Sequence, residues 1–331
     1  MGSARYKVHF TVRNTHTGVI LLILMDEQTR SEIWTLLSEG KQLPTALGLH
    51  EKDGRLDLSA CSVPAAVPSG KLTYGAWDFA VMGGVTTLKD VRLNALDLSG
   101  ACLDSLFISD VEMTNSVFDY CSCRNWRVRG TIINNSSFRG TDLRDSSLGG
   151  VSDGRANTFV GVDFSSADLR GSFHSCAEYR DCRFKNTRLK KVGFQGSRFV
   201  DCTFEGELRE VCFNRADTQY NSFPPNYMIR VDFSRAKLRL VEFRELELND
   251  VALPADEDHI ILDEYRPTLE RLIKVFTADE SDLPARQIAA GFRHKLRWAG
   301  AKQKRGVLNK LDIQEVGGED LVRRVEQALR V

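Results

Sequence analysis

A large apolar residue recurs every five positions along the middle of the chain: Leu93, Leu98, Leu103, Ile108, Met113, Phe118, Cys123, Val128, Ile133, Phe138, Leu143 and Leu148. The frame then gains one residue and resumes at Phe159, Phe164 and Leu169, steps weakly over His174, and continues through Tyr179, Phe184, Leu189, Phe194, Phe199 and Phe204. One residue is then lost; the frame returns at Phe213 and runs over Thr218, Phe223, Met228, Phe233, Leu238, Phe243 and Leu248 to Leu253. A period of five matches neither the turn of an α-helix, about 3.6 residues, nor the two-residue alternation of a strand. It fits a coil in which each unit forms one side of a square and four units complete a turn of twenty. The bulky residue fills the axis, a smaller one two places earlier tucks beside it, and the other three face water. Neighbouring coils would pair by backbone hydrogen bonds at about 4.8 Å, with room for roughly eight coils between Leu93 and Leu253.

The smaller residues include Ala101, Val111, Ser116, Cys121, Thr131, Ser136, Val162, Cys182, Val192, Cys202, Val211 and Ala236. Between small and large positions stands Asp or Asn in many units, as at Asp97, Asp142, Asp163, Asp168 and Asp232. Stretches such as Ala167-Asp168-Leu169-Arg170-Gly171, Val162-Asp163-Phe164-Ser165-Ser166, Thr141-Asp142-Leu143-Arg144-Asp145 and Val231-Asp232-Phe233-Ser234-Arg235 resemble the unit of the pentapeptide-repeat family, written A(D/N)LXX. The resemblance covers about half the chain, and it is the long run of units in frame that makes it specific. It implies a mainly β fold, a right-handed quadrilateral β-solenoid.

Two interruptions break the frame. The extra residue falls in Gly149-Gly150-Val151-Ser152-Asp153-Gly154, a turn-forming run that predicts a bulge from one face. It is either a tolerated surface insertion or a recognition loop, since loops on rigid scaffolds often make the contacts. The second, around Glu205 to Val211, predicts a shortened side.

The flanks read differently. Tyr6, Val8, Phe10 and Val12 alternate with polar residues, and Asn14-Thr15-His16-Thr17-Gly18 turns the chain into an apolar run from Val19 to Met25, which together predict a β-hairpin. A short helix is expected from about Thr29 to Ser38 with Ile33, Trp34 and Leu37 on one side. Residues 1–50 thus form a small α+β module. Residues 51–87 form an irregular cap or first partial coil, in which Asp57-Leu58-Ser59-Ala60 looks like a stray unit and Pro64, Pro68 and Gly70 break any pattern. The solenoid spans 88–253. Over 254–331 the pattern becomes helical: Ile261, Tyr265, Leu269, Leu272 and Phe276 mark one stripe, Ile288, Phe292 and Leu296 a second begun near Pro284, and Leu321, Val325 and Leu329 a third after Gly317-Gly318. A C-terminal α-helical domain follows.

Composition narrows the function classes. The 331 residues hold 45 Lys plus Arg and 45 Asp plus Glu, so global charge points to neither a nucleic acid nor an acidic ligand. Val19 to Met25 is too short to span a membrane and lacks a signal-peptide cleavage pattern. A cytoplasmic protein with no membrane partner is expected, its eight cysteines reduced. Charge is banded locally. Asp97, Asp104, Asp110, Glu112 and Asp119 make the first coils acidic, whereas Arg180, Arg183, Lys185, Arg188, Lys190, Lys191 and Arg198 face Asp181 alone. From Ala285 to Leu311 there is no acidic residue, and Arg286, Arg293, Lys295, Arg297, Lys302, Lys304, Arg305 and Lys310 form a candidate basic patch for phosphates or an acidic protein surface. The alternative is the solvated face of an amphipathic helix.

No metal site is expected. Cys121 and Cys123 lie more than two coils from His174 and Cys176, too far to share an ion, and Cys182 and Cys202, one coil apart, should stack as a thiol pair. No P-loop, dinucleotide glycine motif, HExxH or GxSxG occurs, so no catalytic residue, cofactor or enzyme activity is expected. Some bacterial members of the resembled family mimic duplex DNA and modulate or protect DNA gyrase and topoisomerase IV. That role wants an acidic surface, yet basic and acidic residues balance between Leu88 and Leu253. The expected function is therefore a protein-interaction scaffold or adaptor with an unidentified protein partner. A topoisomerase modulator and nucleic-acid binding through the basic segment are the alternatives. A homodimer is a further expectation, through an exposed solenoid end or the helix from Leu321 to Leu329.

Overall fold

The computed structural model describes residues 9–15, 18–24, 27–43, 47, 49–59, 61–63, 67–74, 77–83, 86–217 and 223–330. The chain divides into two compact units, Met1–Asp168 and Leu169–Val331. The described residues are mainly β, with four helices.

In the first unit, strands His9–Thr15 and Gly18–Leu24 pair antiparallel, the hairpin that alternation predicts; Tyr6, Val8, His16 and Thr17 lie outside the described residues. Helix α1, Glu27–Ser38, buries Thr29, Ile33, Trp34 and Leu37, and the Trp34 indole donates to the Ser62 carbonyl at 3.2 Å. Strand Arg55–Asp57 pairs in parallel with Leu96–Asp97, one residue before the fully buried Leu58. The stretch that reads as irregular forms an antiparallel hairpin, Val67–Tyr74 with Trp77–Gly83, whose register shifts between Pro68 and Gly70. Pro64 lies outside the described residues.

From Thr87 onward three-residue strands stack in parallel with partners twenty residues away: Ile108 pairs with Leu88 and Val128, and Met113 with Leu93 and Ile133. In the strands around Leu88, Leu93, Val128 and Ile133 the middle residue is buried between exposed or half-exposed neighbours. Identical inward positions therefore meet face to face. Phe118 and Phe138 stack at 4.7 Å between centroids and 8° between planes, and Phe164 continues the stack at 5.5 Å. Two residues after each inward position the backbone turns a corner in the left-handed region. Asp110, Asn115, Tyr120, Asn125, Gly130, Asn135 and Gly140 have φ between 46° and 65°, a region where Gly, Asn and Asp are least penalised.

The first interruption is longer than the frame count shows. Ile133 pairs with Phe159 and Asp142 with Asp168, twenty-six residues apart. Six residues are inserted, and a shift of one is what remains after a whole unit is subtracted. They form a tight hairpin, Val151–Ser152 with Arg155–Ala156.

In the second unit Phe194 pairs with His174, and Phe199 with Tyr179, at the same twenty-residue offset. The second interruption is the expected short side. Leu189 pairs with Leu208, nineteen residues on, and strand Thr203–Arg209 runs unbroken through the corner at Gly206. A third interruption was hidden because its length is a multiple of five: Phe213 pairs with Phe243, thirty residues away. This exceeds one coil by ten residues. Phe223 is half-buried, not an inward residue, while Met228 is fully buried; Thr218 lies outside the described residues. Stacked rings run through this unit, Phe184 on Phe204 on Phe233 at 4.6 Å each and Phe194 on Phe213 at 5.0 Å.

Helices α2 (Tyr265–Phe276), α3 (Leu283–Trp298) and α4 (Lys310–Leu329) follow, with an antiparallel pair of strands, His259–Leu262 and Gly306–Asn309. Ile261 thus belongs to a strand and does not extend the α2 stripe. Asp282 caps α3, accepting from the Ala285 amide at 3.0 Å, with Pro284 in the first turn where no amide donor is needed. α4 begins before Gly317-Gly318 and is broken there by non-helical backbone. Leu321 and Val325 are buried in a core with Leu269, Leu272, Ile288 and Phe292, and Leu329 is partly buried against it.

The last coil does not end in open hydrogen-bonding groups. Its Leu238 amide donates to His259 Nε2 at 3.0 Å, Leu240 to the Asp312 carboxylate at 2.8 Å, and Glu245 to the Trp298 carbonyl at 2.8 Å. Arg305 donates to the Leu248 and Val251 carbonyls. The helical layer therefore occupies these edge groups.

Candidate interaction surface

Chemistry-bearing side chains inside the coils are held in structural roles. His174 is fully buried between Ser172 and Tyr179. The Ser172 hydroxyl donates to the Leu169 carbonyl at 2.6 Å, so it accepts from His174 Nε2, and Nδ1 accepts from the Tyr179 hydroxyl. Burial pushes the imidazole pKa down to about 3, which keeps the ring neutral. The ladder sets Cys182 and Cys202 one coil apart, both buried, with their thiols directed at backbone carbonyls. Cys123 is fully buried and its thiol pKa is raised by burial.

What faces outward is patterned coil by coil. The acidic band of the first coils pairs with basic residues one coil away, twenty positions on for Asp104 with Arg124 at 3.0 Å and Asp119 with Arg139 at 3.2 Å, and twenty positions back for Glu112 with Arg92 at 3.1 Å. In the second unit Glu178 meets Arg198 at 3.3 Å and Lys185 meets Glu205 at 3.5 Å. Bands of opposite sign along the chain are thus neighbours across coils, and between the interruptions both inward and outward positions keep a spacing of twenty. The chain carries a pentapeptide-repeat β-solenoid.

Among solved structures it is similar to HetL, a pentapeptide repeat protein involved in heterocyst differentiation regulation from the cyanobacterium Nostoc sp. PCC 7120. Identity is 16%, over 51% of this chain and 83% of that one, with a TM-score of 0.19. Full-length QnrB1, a plasmid-mediated fluoroquinolone resistance protein, matches at 17% identity over 56% of this chain and 99% of its own, again at 0.19. A pentapeptide repeat protein from the Arabidopsis thaliana thylakoid lumen matches at 22% identity over 45% and 68%, at 0.14. No family model and no curated protein matches the chain. At these scores the likenesses add nothing to what the solenoid's own ladders establish.

The hairpin at Gly149–Gly154 lies pinned to its face. Asp110, whose side chain is 5% exposed, accepts from the Ser152 hydroxyl at 2.8 Å and from Arg155 at 2.8 Å. Burial alone would raise the Asp110 pKa; hydrogen bonds from Ser109, Ser152 and Arg155 outweigh it and hold the carboxyl below its usual range. Asn157 locks the base of the hairpin by donating to the Val128 and Leu148 carbonyls at 2.8 Å each. Gly130, at φ 59°, lies beneath it, where a Cβ would stand 2.5 Å from the Asp110 carboxylate and 2.7 Å from Ser152. The tip, Asp153 and Gly154, is exposed; Gly150, Val151 and Ser152 are half-buried and Gly149 is buried.

The basic span from Ala285 is divided among several elements. Arg286, Arg293 and Arg297 are exposed on α3, and Lys302 and Lys304 are exposed in the following loop. Lys295 is half-buried and its pKa is lowered by burial against the opposing pull of Asp312 and Glu242. Arg305 is occupied by Asp263 and two carbonyls, and Lys310 by Glu326 at 2.6 Å. Sequence reasoning missed Trp126, fully buried at a position reserved for small residues, with its indole donating to the Leu103 carbonyl at 2.6 Å. The inward residue just before it is Cys123, smaller than Leu103 and Leu143 at the equivalent positions, a volume signal that was present in the chain.

Proposed function

We propose that this chain is a non-enzymatic protein-interaction scaffold, built on a right-handed quadrilateral coil whose outward faces carry the contacts. The observation that carries the reading is the division of labour just described. Buried His, Cys and Tyr side chains are engaged in packing and internal hydrogen bonds, while charge is displayed outward in registered rows. Among the described residues no group of three or more His, Cys, Asp and Glu side chains is arranged to hold a metal ion, and no helix is long and apolar enough to cross a membrane.

A DNA mimic acting on a topoisomerase would need continuous negative charge, and here Asp104, Glu112 and Asp119 of the first coils are paired to arginines across the ladder. A gyrase supercoiling assay, with and without a quinolone, separates the two readings. Micromolar protein is expected to leave both supercoiling and quinolone inhibition unchanged. Inhibition or protection would replace the scaffold reading with the mimic, and would make the hairpin at Gly149–Gly154 the first deletion to test.

A further inference from the structure

One outward row of the second unit is cationic on consecutive coils. Lys190 lies in register with Arg209, and Arg209 with Arg239; the Gly171 amide donates to the Lys190 carbonyl, which sets Arg170 one rung earlier. Arg170, Arg188 and Lys190 are exposed. They line a groove of about 360 Å3 with Asn186, Arg209 and the one acidic side chain Glu207. Parallel coils repeat at about 4.8 Å, so the row presents cations at that interval.

The far end of the row is already covered, and by what is informative. Arg239 is 12% exposed and is held by two carboxylates of one helix: Asp312, at 2.7 Å from Nε, and Glu315. Glu315 also reaches toward the next rung, standing 3.8 Å from Arg209. Residues three apart on a helix are separated by about 4.5 Å along its axis, close to the coil spacing. A helix with carboxylates every three or four residues therefore matches the row rung for rung. α4 begins such a match and leaves it, because Gly317 and Gly318 break the helix immediately beyond Glu315. Arg209 remains under-satisfied. Its Nε is buried without a hydrogen-bond partner, and its two carboxylate neighbours, Glu210 and Glu315, are both at 3.8 Å.

We propose that Arg170, Arg188, Lys190 and Arg209 form the docking site for an acidic helix of a partner protein, laid along the row where α4 turns away. Specificity comes from charge spacing, with carboxylates on one helical face meeting Arg170, Lys190 and Arg209 on successive coils and Arg188 beside Lys190. Duplex DNA also carries regularly spaced anions, but the row's own observed occupant is a carboxylate helix, and this decides between them. The inference rests on the scaffold reading and names one of its contact faces.

The test uses the full chain and a labelled alanine-based helical peptide with glutamates at every third or fourth position on one face. A peptide of the same composition with its glutamates spread around the helix, and a duplex DNA of matching charge, serve as comparisons. The faced peptide is expected to bind in low salt, more tightly than either comparison. Arg170→Glu with Lys190→Glu should weaken it about tenfold, and Arg286→Glu with Arg293→Glu should leave it unchanged. If the double reversal does not fold, as judged by circular dichroism, Lys190→Gln alone should still weaken binding about threefold. No binding, equal binding of the two peptides, insensitivity to the row variants, or tighter row-dependent binding of the duplex would each overturn the proposal. Such a failure leaves the other solenoid faces untouched, so the scaffold reading stands or falls on its own experiment.

Discussion

At the residue scale, the coil tolerates polar and awkward side chains only where a local partner is supplied. His174 replaces an inward aliphatic residue, lies against Phe194 at 4.5 Å between centroids, and is satisfied by Ser172 and Tyr179. Its folded pKa, about 3 against an ordinary value of 6.5, means the unfolded chain binds the extra proton between those pH values. Stability is therefore full above about pH 6.5 and falls as pH drops toward 3, by on the order of 1.4 kcal/mol per unit. Replacing His174→Phe together with Tyr179→Phe should remove that slope from thermal melts between pH 4 and 6, and an unchanged slope would assign it elsewhere. Leu240 occupies a left-handed corner at φ 52° while 44% exposed. Leu240→Asn should raise stability by about 0.5–1 kcal/mol in denaturant titrations, because Asn bears that backbone at lower cost.

At the element scale, the hairpin inserted at Gly149–Gly154 behaves as part of the face it lies on. Asp110→Ala removes the acceptor for both Ser152 and Arg155, and should cost about 1–2 kcal/mol and speed amide exchange across Val151–Ala156. The Asp110 contribution is present above the ordinary carboxylate pKa and is lost as pH falls through its depressed folded value. Protection of these amides that does not change in the variant would show that Asn157 alone holds the hairpin. The same element marks how much was legible in the sequence. Inward positions were readable because apolar residues keep their phase of five, as Phe118, Phe138 and Phe164 do. Phase is blind to whole units, however, so the insertion before Phe159 looked like one residue and is six, and the ten residues around Phe223 were invisible. Helix α1 was readable from Ile33, Trp34 and Leu37. The strand containing Ile261 was not, because one apolar residue ahead of a helical stripe fits either period. Among the candidate site residues, Lys295 and Arg305 looked like members of one basic surface; the contacts that occupy them come from residues distant in sequence.

At the scale of the whole molecule, opposite charges that are separated along the chain become neighbours across coils. Pairs such as Asp104 with Arg124 and Glu178 with Arg198 place acids beside bases from the next coil, and on the proposed scaffold reading partners are recognised by the order of charge along a face. Where a row is uniformly cationic, as at Arg170, Lys190 and Arg209, an acidic partner is specified. The most direct measurement of the central claim is cross-linking mass spectrometry on complexes formed by the purified chain in extract from its source, wild type against a chain with one outward row charge-reversed. The account predicts cross-links from protein partners on outward coil positions, with those at the reversed row lost and the others retained. Cross-links confined to the exposed basic residues of α3, or recovery of nucleic acid in place of protein, would contradict it.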